Sequence, residues 1–338
     1  MAAATEGKWR VIGHDWAVQF LRRALEGDNL SHAYLIVGQP QLGKRTLALE
    51  FARAVNCEGE RRPCGTCRAC TLALAGRHPD IVTVRGEGVR STILIDQVRD
   101  LCRQASLAPV EGRRRVYVIC NAELANEHAA NAFLKTLEEP RRHVIFVLTA
   151  TAEELVMPTI VSRCQVLFLH SLSREVIQRG LMEHWEVPEE RARLLAHLSG
   201  GRMGRALSLL ENEKLLARRT RALDQLRELL AGGWMERFAA AQEASKRSDE
   251  LLEHLEVWLS WWRDLLLLQQ GLADRIVNLD RATELRQMEP AFTPGQARGA
   301  VEAIQTCAYH IQKNVGARLA MEWLMLHLPT AGRLPLEG

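Results

Sequence analysis

A lysine at the end of a glycine-containing turn is the first feature of this sequence that suits chemistry. The turn runs from Gly38 through Gly43 to Lys44, after an apolar run at Tyr34–Val37 and before a helical pattern. A strand, a glycine-rich turn and a helix in this order form a cradle for phosphate. Backbone N–H groups surround the anion and the lysine reaches its outer oxygens. The turn therefore predicts a phosphate-binding loop.

The residues after the lysine do not suit magnesium. Such loops usually continue with Ser or Thr, whose hydroxyl binds Mg²⁺, whereas here Arg45 takes that position and Thr46 comes one residue later. One residue turns a helix by about 100°, so Thr46 does not replace the lost ligand. We expect a degenerate phosphate loop without a proper Mg²⁺ site, which leaves the binding of ATP or ADP open. Its candidate residues are Gly38, Gly43, Lys44, Arg45 and Thr46.

Four closely spaced cysteines are the second feature. Two residues separate Cys64 from Cys67 and Cys67 from Cys70, and Cys57 lies upstream. Four thiolates at such spacing can close a tetrahedral site with no open position, which is typical of structural zinc. A DNA-reading finger is disfavoured because no helix with suitable basic positions follows. We predict one structural Zn²⁺ rather than four unliganded thiols.

Length and composition bound the class of protein. The chain has 338 residues, 47% hydrophobic and 25% charged, with a net charge of +3. These values fit an ordinary soluble protein of two or three domains, and the charge alone does not argue for nucleic acid. The N-terminus lacks a signal-peptide core, and the apolar stretch Val257–Leu268 contains Arg263 and Asp264. We expect a cytoplasmic protein with no membrane contact and reduced cysteines.

Strand and helix patterns alternate in the first half of the chain. Mainly apolar runs of the kind found in buried parallel strands occur at 34–37, 116–119, 143–148 and 166–169, and a further strand pattern lies at 80–84. Helical patterns lie between them, which predicts a parallel sheet covered on both faces. From Ser171 onward the patterns are helical only. Trp258, Trp261 and Trp262 have helical spacing, and we interpret them as one core-facing stripe.

Two further segments carry a family resemblance. They are Asn131–Pro140, which spells NAFLKTLEEP, and Ser162-Arg163-Cys164. Together with the phosphate loop and the cysteines they resemble the clamp-loader family of bacterial DNA polymerase III, an AAA+ assembly with delta-prime and tau/gamma subunits. The resemblance covers about residues 9–210. It implies an α/β AAA+ P-loop domain at 1–170 with an inserted zinc knuckle at 57–70. A helical lid at 171–212 and an all-α collar for oligomerisation at 213–338 would follow.

The resemblance also implies partners and a type of subunit. ATP-hydrolysing members end the strand before NAFLKTLEEP in an acidic pair, whereas this chain has Cys120 and Asn121. Their lid has an arginine that senses the γ-phosphate, and its place here is taken by Gly204. With Arg45, these departures imply a non-hydrolysing, delta-prime type of subunit. The expected partners are tau/gamma and delta subunits, with the sliding clamp and primed DNA reached through the assembled complex.

Arg163 is the remaining candidate. By resemblance it is the arginine finger that acts in trans on a neighbour's ATP, a role that suits a planar guanidinium. A structural arginine is the alternative for this residue. For the whole chain, one alternative is an ATP-hydrolysing tau/gamma-type subunit. The other is a DNA-binding zinc protein outside replication, using the charges of Arg61, Arg62 and the Arg113–Arg115 run.

Overall fold

The computed structural model describes residues 7–87, 92–245, 248–313 and 316–330. The chain forms two compact units, and each is described by itself. The first extends to Pro188 and includes Gly201–Arg205, while the second comprises Glu189–Gly200 and the chain from Ala206 onward. The boundary passes through the segment predicted as a lid. The partition into domains at 1–170, 171–212 and 213–338 stays a prediction.

A five-stranded parallel sheet is the centre of the first unit. Its strands are β1 (Ala33–Val37), β2 (Ile81–Val84), β3 (Arg115–Ile119), β4 (Val144–Ala150) and β5 (Gln165–Phe168). They lie in the order β2-β3-β4-β1-β5, and all adjacent pairs are parallel, which confirms the predicted parallel sheet. Residues that precede the strands therefore lie on one side, here called the strand-start side. Residues that follow them lie on the strand-end side.

Helices pack on both faces of this sheet. The helices of the first unit are α1 (Asp15–Glu26), α2 (Lys44–Val55), α3 (Arg68–Leu74), α4 (Ile95–Ala105), α5 (Glu127–Glu138), α6 (Pro158–Val161) and α7 (Arg174–Trp185). Successive residues of β1 point to opposite faces. Tyr34 and Ile36 share a buried cluster with side chains of α1 and α2, whereas Leu35 and Val37 share one with α4 and α5. Burial on both faces explains why the central strands β1, β3 and β4 are largely apolar.

The second unit is helical. Its helices are α8 (Glu189–Leu198), α9 (Met203–Glu211, which starts in the first unit), α10 (Glu213–Ala231), α11 (Trp234–Ser245), α12 (Ser248–Gln269), α13 (Ala282–Met288), α14 (Pro294–Gln312) and α15 (Ala317–His327). Short 3₁₀ helices of the chain lie at Ala122–Leu124, Glu153–Leu155, Ala273–Arg275, Leu279–Arg281 and Glu289–Ala291. Trp258, Trp261 and Trp262 are at most 3% exposed, which confirms the core-facing stripe. Within the described ranges, no helix is both long and apolar enough to cross a membrane.

Candidate functional site

The predicted phosphate loop lies on the strand-end side, between β1 and α2. Gly43 precedes α2 with a φ of 97°, a left-handed conformation that favours glycine. Lys44 is 7% exposed, and its ammonium group donates hydrogen bonds to the carbonyl oxygens of Gly38 and, at 2.8 Å, of Gln39. Burial lowers the pKa of Lys44, and the negative charge of Glu123 opposes this effect. The ammonium group of Lys44 thus donates its hydrogen bonds to carbonyl oxygens of its own loop.

The two positions at which related loops hold a metal carry a guanidinium and a thiol. Cys120 directly follows β3 and is partly buried, whereas Arg45 and Thr46 are exposed. Burial raises the pKa of the Cys120 thiol, and the nearby positive charges of Arg45 and Arg85 oppose this effect. The two guanidinium groups repel a divalent cation, and a thiol lacks the oxygen ligand that Mg²⁺ prefers. This arrangement disfavours Mg²⁺.

Three residues of the strand-end side were missed by the sequence-based argument. The hydroxyl oxygen of Thr149, the next-to-last residue of β4, accepts a hydrogen bond at 3.0 Å from the backbone N–H of Asn121. Glu123 accepts hydrogen bonds from the backbone N–H of Thr151 at 3.1 Å and from its hydroxyl at 2.7 Å. The acid comes three residues after Cys120. Its approach to the loop depends on the turn after β3, which no local pattern predicts.

Gly204, at the start of α9, lies directly against the phosphate loop. Its backbone N–H donates a hydrogen bond to the carbonyl oxygen of Gln41 at 2.8 Å. A Cβ atom at position 204 would lie 2.8 Å from the same oxygen. Any larger side chain, an arginine included, would therefore require the loop or the helix to move. The contact suits a chain without the arginine of ATP-hydrolysing relatives.

The four predicted zinc ligands converge between α2 and β2. Their Sγ atoms all lie within 4.8 Å of one another, and the ligand residues are Cys57, Cys64, Cys67 and Cys70. The Cys57–Cys67 and Cys64–Cys70 sulfur pairs are each 4.0 Å apart. Sulfurs about 2.3 Å from a tetrahedral zinc ion lie about 3.8 Å apart. The donor set therefore fits zinc.

Backbone N–H groups surround these sulfurs. Those of Gly59 and Cys64 donate to the sulfur of Cys57, at 3.4 and 3.2 Å, and that of Cys67 donates to Cys64 at 3.3 Å. Burial alone would raise the pKa of the Cys64 thiol, but hydrogen bonds from Cys67 and Thr66 outweigh it and lower the pKa to about 6. These donors favour the metal-binding thiolate form of Cys64, whereas burial raises the pKa of the Cys57 and Cys70 thiols.

Arg163 lies on the strand-start side, two residues before β5. Its Nη1 donates to the carbonyl oxygen of Thr159 at 2.8 Å and to the Ser162 hydroxyl at 3.3 Å. Its Nη2 donates to a carboxylate oxygen of Glu138 at 2.7 Å. The side chain of Arg163 is 34% exposed and that of Glu138 is 50% exposed. The guanidinium is therefore held at the surface.

The sheet separates Arg163 from the phosphate loop of its own chain. Gln165 in β5 pairs with Tyr34 in the adjacent parallel strand β1, and the loop begins four residues later, at Gly38. At about 3.3 Å per residue, this is about 13 Å along the strand direction, and Arg163 precedes Gln165. The two predicted elements of ATP chemistry are thus not brought together within the chain.

Two family models and a full-length relative match most of this chain. The family described as "DNA polymerase III, delta subunit" matches residues 13–173, and "DNA polymerase III, delta subunit, C terminal" matches residues 213–330. The DNA polymerase III subunit delta' of Bacillus subtilis is 30% identical over 92% of this chain and 94% of its own length. That of Pseudomonas aeruginosa is 38% identical over 51% of this chain and 53% of its own length.

Other similar proteins are matched over shorter lengths or more weakly. The DNA polymerase III subunit tau of Escherichia coli is 34% identical over 60% of this chain, but only 33% of tau is covered. Among solved structures, a DNA polymerase III gamma subunit-related protein from Thermotoga maritima is 21% identical, with a TM-score of 0.45. That match covers 91% of this chain and 98% of the other.

Proposed function

This chain belongs to the delta-prime family of DNA polymerase III subunits, and from this premise we propose that it is a non-hydrolysing subunit of the clamp-loader ring. Its sheet-containing unit acts as an AAA+ domain, and its C-terminal helices form the oligomerisation collar. The partners are tau/gamma and delta subunits. The sliding clamp and primed DNA are reached through the assembled complex in the cytoplasm. The family assignment speaks against a DNA-binding zinc protein outside replication.

The strand-end side supports the absence of hydrolysis. A loop that hydrolyses ATP needs Mg²⁺ and a group that activates water. Here Arg45 and Cys120 occupy the positions of metal contacts, and Asn121 cannot accept a proton from water. Lys44 donates to its own loop. The alternative, an ATP-hydrolysing tau/gamma-type subunit, is less favoured because both matching family models describe the delta subunit and the delta' relative of Bacillus subtilis matches over 94% of its own length.

The position of Arg163 carries the proposal that this chain assists hydrolysis in another subunit. Its guanidinium is exposed on the side of the sheet opposite its own phosphate loop. An arginine supplied in trans stabilises charge on the transferred phosphoryl group. We place Arg163 in that role, acting on a neighbour's ATP. The four cysteines hold a structural Zn²⁺, and ATP or ADP in the degenerate loop has no catalytic part.

Reconstitution of the clamp loader tests this function. Complexes would contain the partner subunits with the wild-type chain or with Arg163→Ala, Arg163→Lys or Lys44→Ala. ATP turnover at the site that Arg163 serves should fall on the order of 10³-fold for Arg163→Ala. Total turnover should fall less, since other interfaces keep their own fingers. Arg163→Lys should be nearly as impaired, because an ammonium group lacks the planar fork.

Lys44→Ala is the matched control on the strand-end side and should leave turnover and clamp loading unchanged. The isolated chain should hydrolyse ATP no faster than background. Mg²⁺-dependent turnover by the isolated chain, abolished by Lys44→Ala, would instead support the tau/gamma alternative. Normal assembly and wild-type clamp loading by the Arg163→Ala complex would assign Arg163 a structural role.

A further inference from the structure

The ion pair between Arg163 and Glu138 joins the two segments that first suggested the family. Glu138 belongs to the NAFLKTLEEP segment and is the last residue of α5, while Arg163 follows the short helix α6. The pair distance of 2.7 Å is that of a charge-assisted hydrogen bond. Both side chains are partly exposed, so the pair is at the surface rather than in the core.

The stability of α5 does not explain an acid at this position. Helix carbonyls at the C-terminus carry partial negative charge, which favours cations such as Lys135 in the last turn and disfavours carboxylates. Glu138 and Glu139 are both acidic. The charge of Glu138 is offset by Arg163 instead. Because Glu138 does not stabilise α5, we interpret its ion pair as a contact that holds the arginine.

The contacts of Arg163 fix a side chain that would otherwise have many rotamers. An arginine loses much conformational freedom when it is held in one orientation. The Thr159 carbonyl and the Glu138 carboxylate bind different terminal nitrogens, so together they set the plane of the guanidinium. Since Glu138 binds through a single contact and is half exposed, the arginine keeps donors for a further anion.

We propose that Glu138 is a positioning residue, which pre-orients Arg163 toward the nucleotide of the neighbouring subunit. This inference rests on the proposed trans role of Arg163 and extends it to a residue of another element. Removal of the carboxylate leaves Arg163 charged and attached to α6, but free to sample unproductive rotamers. The effect is therefore expected on the rate of the chemical step and not on assembly.

The test uses the reconstituted clamp loader with Glu138→Gln, which keeps the size of the side chain and removes its charge. Turnover at the served site should fall about two- to fivefold, as expected for an exposed ion pair, with kcat lowered and KM for ATP unchanged. Glu139→Gln is the matched control, since Glu139 is exposed and no ion pair of it is seen in the described part of the chain. It should behave as wild type.

A double-mutant cycle separates positioning from a structural effect. In an Arg163→Ala background, Glu138→Gln should cause no further loss, whereas a structural role would reduce turnover in both backgrounds. Glu138→Ala should match Glu138→Gln, and both should unfold at the wild-type temperature. Suppose that Arg163→Ala lowers turnover, whereas Glu138→Gln leaves turnover unchanged or raises it. The positioning role is then wrong and the proposed function stands. If Arg163→Ala itself has no effect, both are wrong.

Discussion

The strand-end and strand-start sides of the sheet differ in what their charged residues contact. On the strand-end side, the Lys44 ammonium group donates to carbonyls of its own loop, and Arg45 lies close enough to act on the Cys120 thiol. On the strand-start side, Arg163 is held by one carbonyl, one hydroxyl and one carboxylate, and a third of it is exposed. The lysine of the strand-end side is thus buried in its own loop, whereas the arginine of the strand-start side is partly exposed.

The difference shows how a chain can lose the metal-binding half of a catalytic apparatus and keep the arginine of the other half. The two sides lie at opposite ends of the parallel strands, and between them the side chains pack in separate clusters above and below the sheet. Substitutions that follow β1 and β3 therefore need not disturb residues that precede β5. A subunit can lose metal binding and still serve a neighbour. If the two sides are independent in this way, a change on one side should leave the function of the other intact.

Removal of metal from the four cysteines should have the largest effect. The knuckle supports the strand-start side, since Arg68 of α3 pairs with Glu111 at 3.2 Å and Asn56 accepts the backbone N–H of Arg114 at 3.0 Å. Structural zinc contributes about 10–16 kcal/mol of apparent binding free energy in small domains. We expect Cys64→Ser to lower the free energy of unfolding by more than about 3 kcal/mol, measured by urea titration.

The same purified proteins would be analysed for metal content. Cys102→Ser is the control, because its thiol lies outside the cluster, at 3.9 Å from the carbonyl oxygen of Ala132, and a hydroxyl can replace that contact. It should keep both zinc and stability. A wild-type chain that contains no zinc after purification without chelator, and unfolds at the same urea concentration as Cys64→Ser, would contradict the zinc assignment.

Asp80→Asn should have the next largest effect, again on the strand-start side. Asp80 is fully buried, and its carboxylate accepts backbone N–H groups of Val110, Glu111 and Gly112 and the Nε–H of Arg115. An asparagine amide has one acceptor oxygen in place of two, so it cannot accept all of these bonds. It also leaves the charge of Arg115 without the carboxylate of Asp80. We expect a loss of about 2–4 kcal/mol in the free energy of unfolding. Asp100→Asn, exposed on α4, should change it by less than about 0.5 kcal/mol.

The pH dependence of this loss has a definite sign. Burial alone would raise the pKa of Asp80, but its N–H donors and Arg115 outweigh burial and hold the pKa below the ordinary 3.8. The stabilisation is therefore complete above pH 3.8 and is lost as the pH falls through the folded-state pKa. The difference between wild type and Asp80→Asn should narrow there. A constant difference down to pH 2 would contradict the assignment.

Lys44→Ala should have a smaller effect, confined to the strand-end side. Its ammonium group holds two loop carbonyls, which water can reach once the side chain is removed. We expect a loss of about 1–2 kcal/mol in the free energy of unfolding, and no change in clamp-loader turnover. Lys135→Ala, exposed on α5, is the control. If Lys44→Ala left stability unchanged but reduced turnover, the two sides would not be independent.

The sequence predicted the elements whose signals are local. Mainly apolar runs predicted the five strands, most clearly the central strands β1, β3 and β4, which are buried throughout. Cysteine spacing predicted a cluster that the fold brings together. The Arg113–Arg115 run supplied charge for the DNA-binding alternative, but Arg115 is not available at the surface. That residue is 7% exposed and paired with Asp80, which lies on a different element.

Contacts between distant elements could not be predicted. Glu123 reaches Thr151 across 28 positions, and Glu138 reaches Arg163 across 25. Neither pair has a periodic or spacing signal, since each depends on how strands are ordered in the sheet. The sequence thus predicted which residues could act on phosphate or metal. It did not predict which neighbours orient them, and Glu138 was found only from the fold.

His14 provides the smallest and most local test of the strand-end side. It is 7% exposed, and its Nε2 lies 3.0 Å from the carbonyl oxygen of Leu42 in the phosphate loop. Burial lowers the pKa of His14, although the Leu42 hydrogen bond and Asp15 oppose it. A folded-state pKa below 6.5 means that the unfolded chain binds the proton more readily. The contribution of neutral His14 is thus complete above pH 6.5 and is lost as the pH falls through the folded-state pKa.

We expect His14→Gln to reduce the loss of stability that the wild-type chain shows between pH 7 and pH 5. Urea titrations at both pH values would measure it. His128→Gln, exposed on α5, should keep the wild-type difference. Since the His14 side chain binds the carbonyl oxygen of Leu42 in the loop that lacks a proper metal site, clamp-loader turnover at pH 7 should be unchanged by His14→Gln. A fall in turnover would mean that the phosphate loop still acts in the assembled ring. The strand-end and strand-start sides of the sheet would then not be independent.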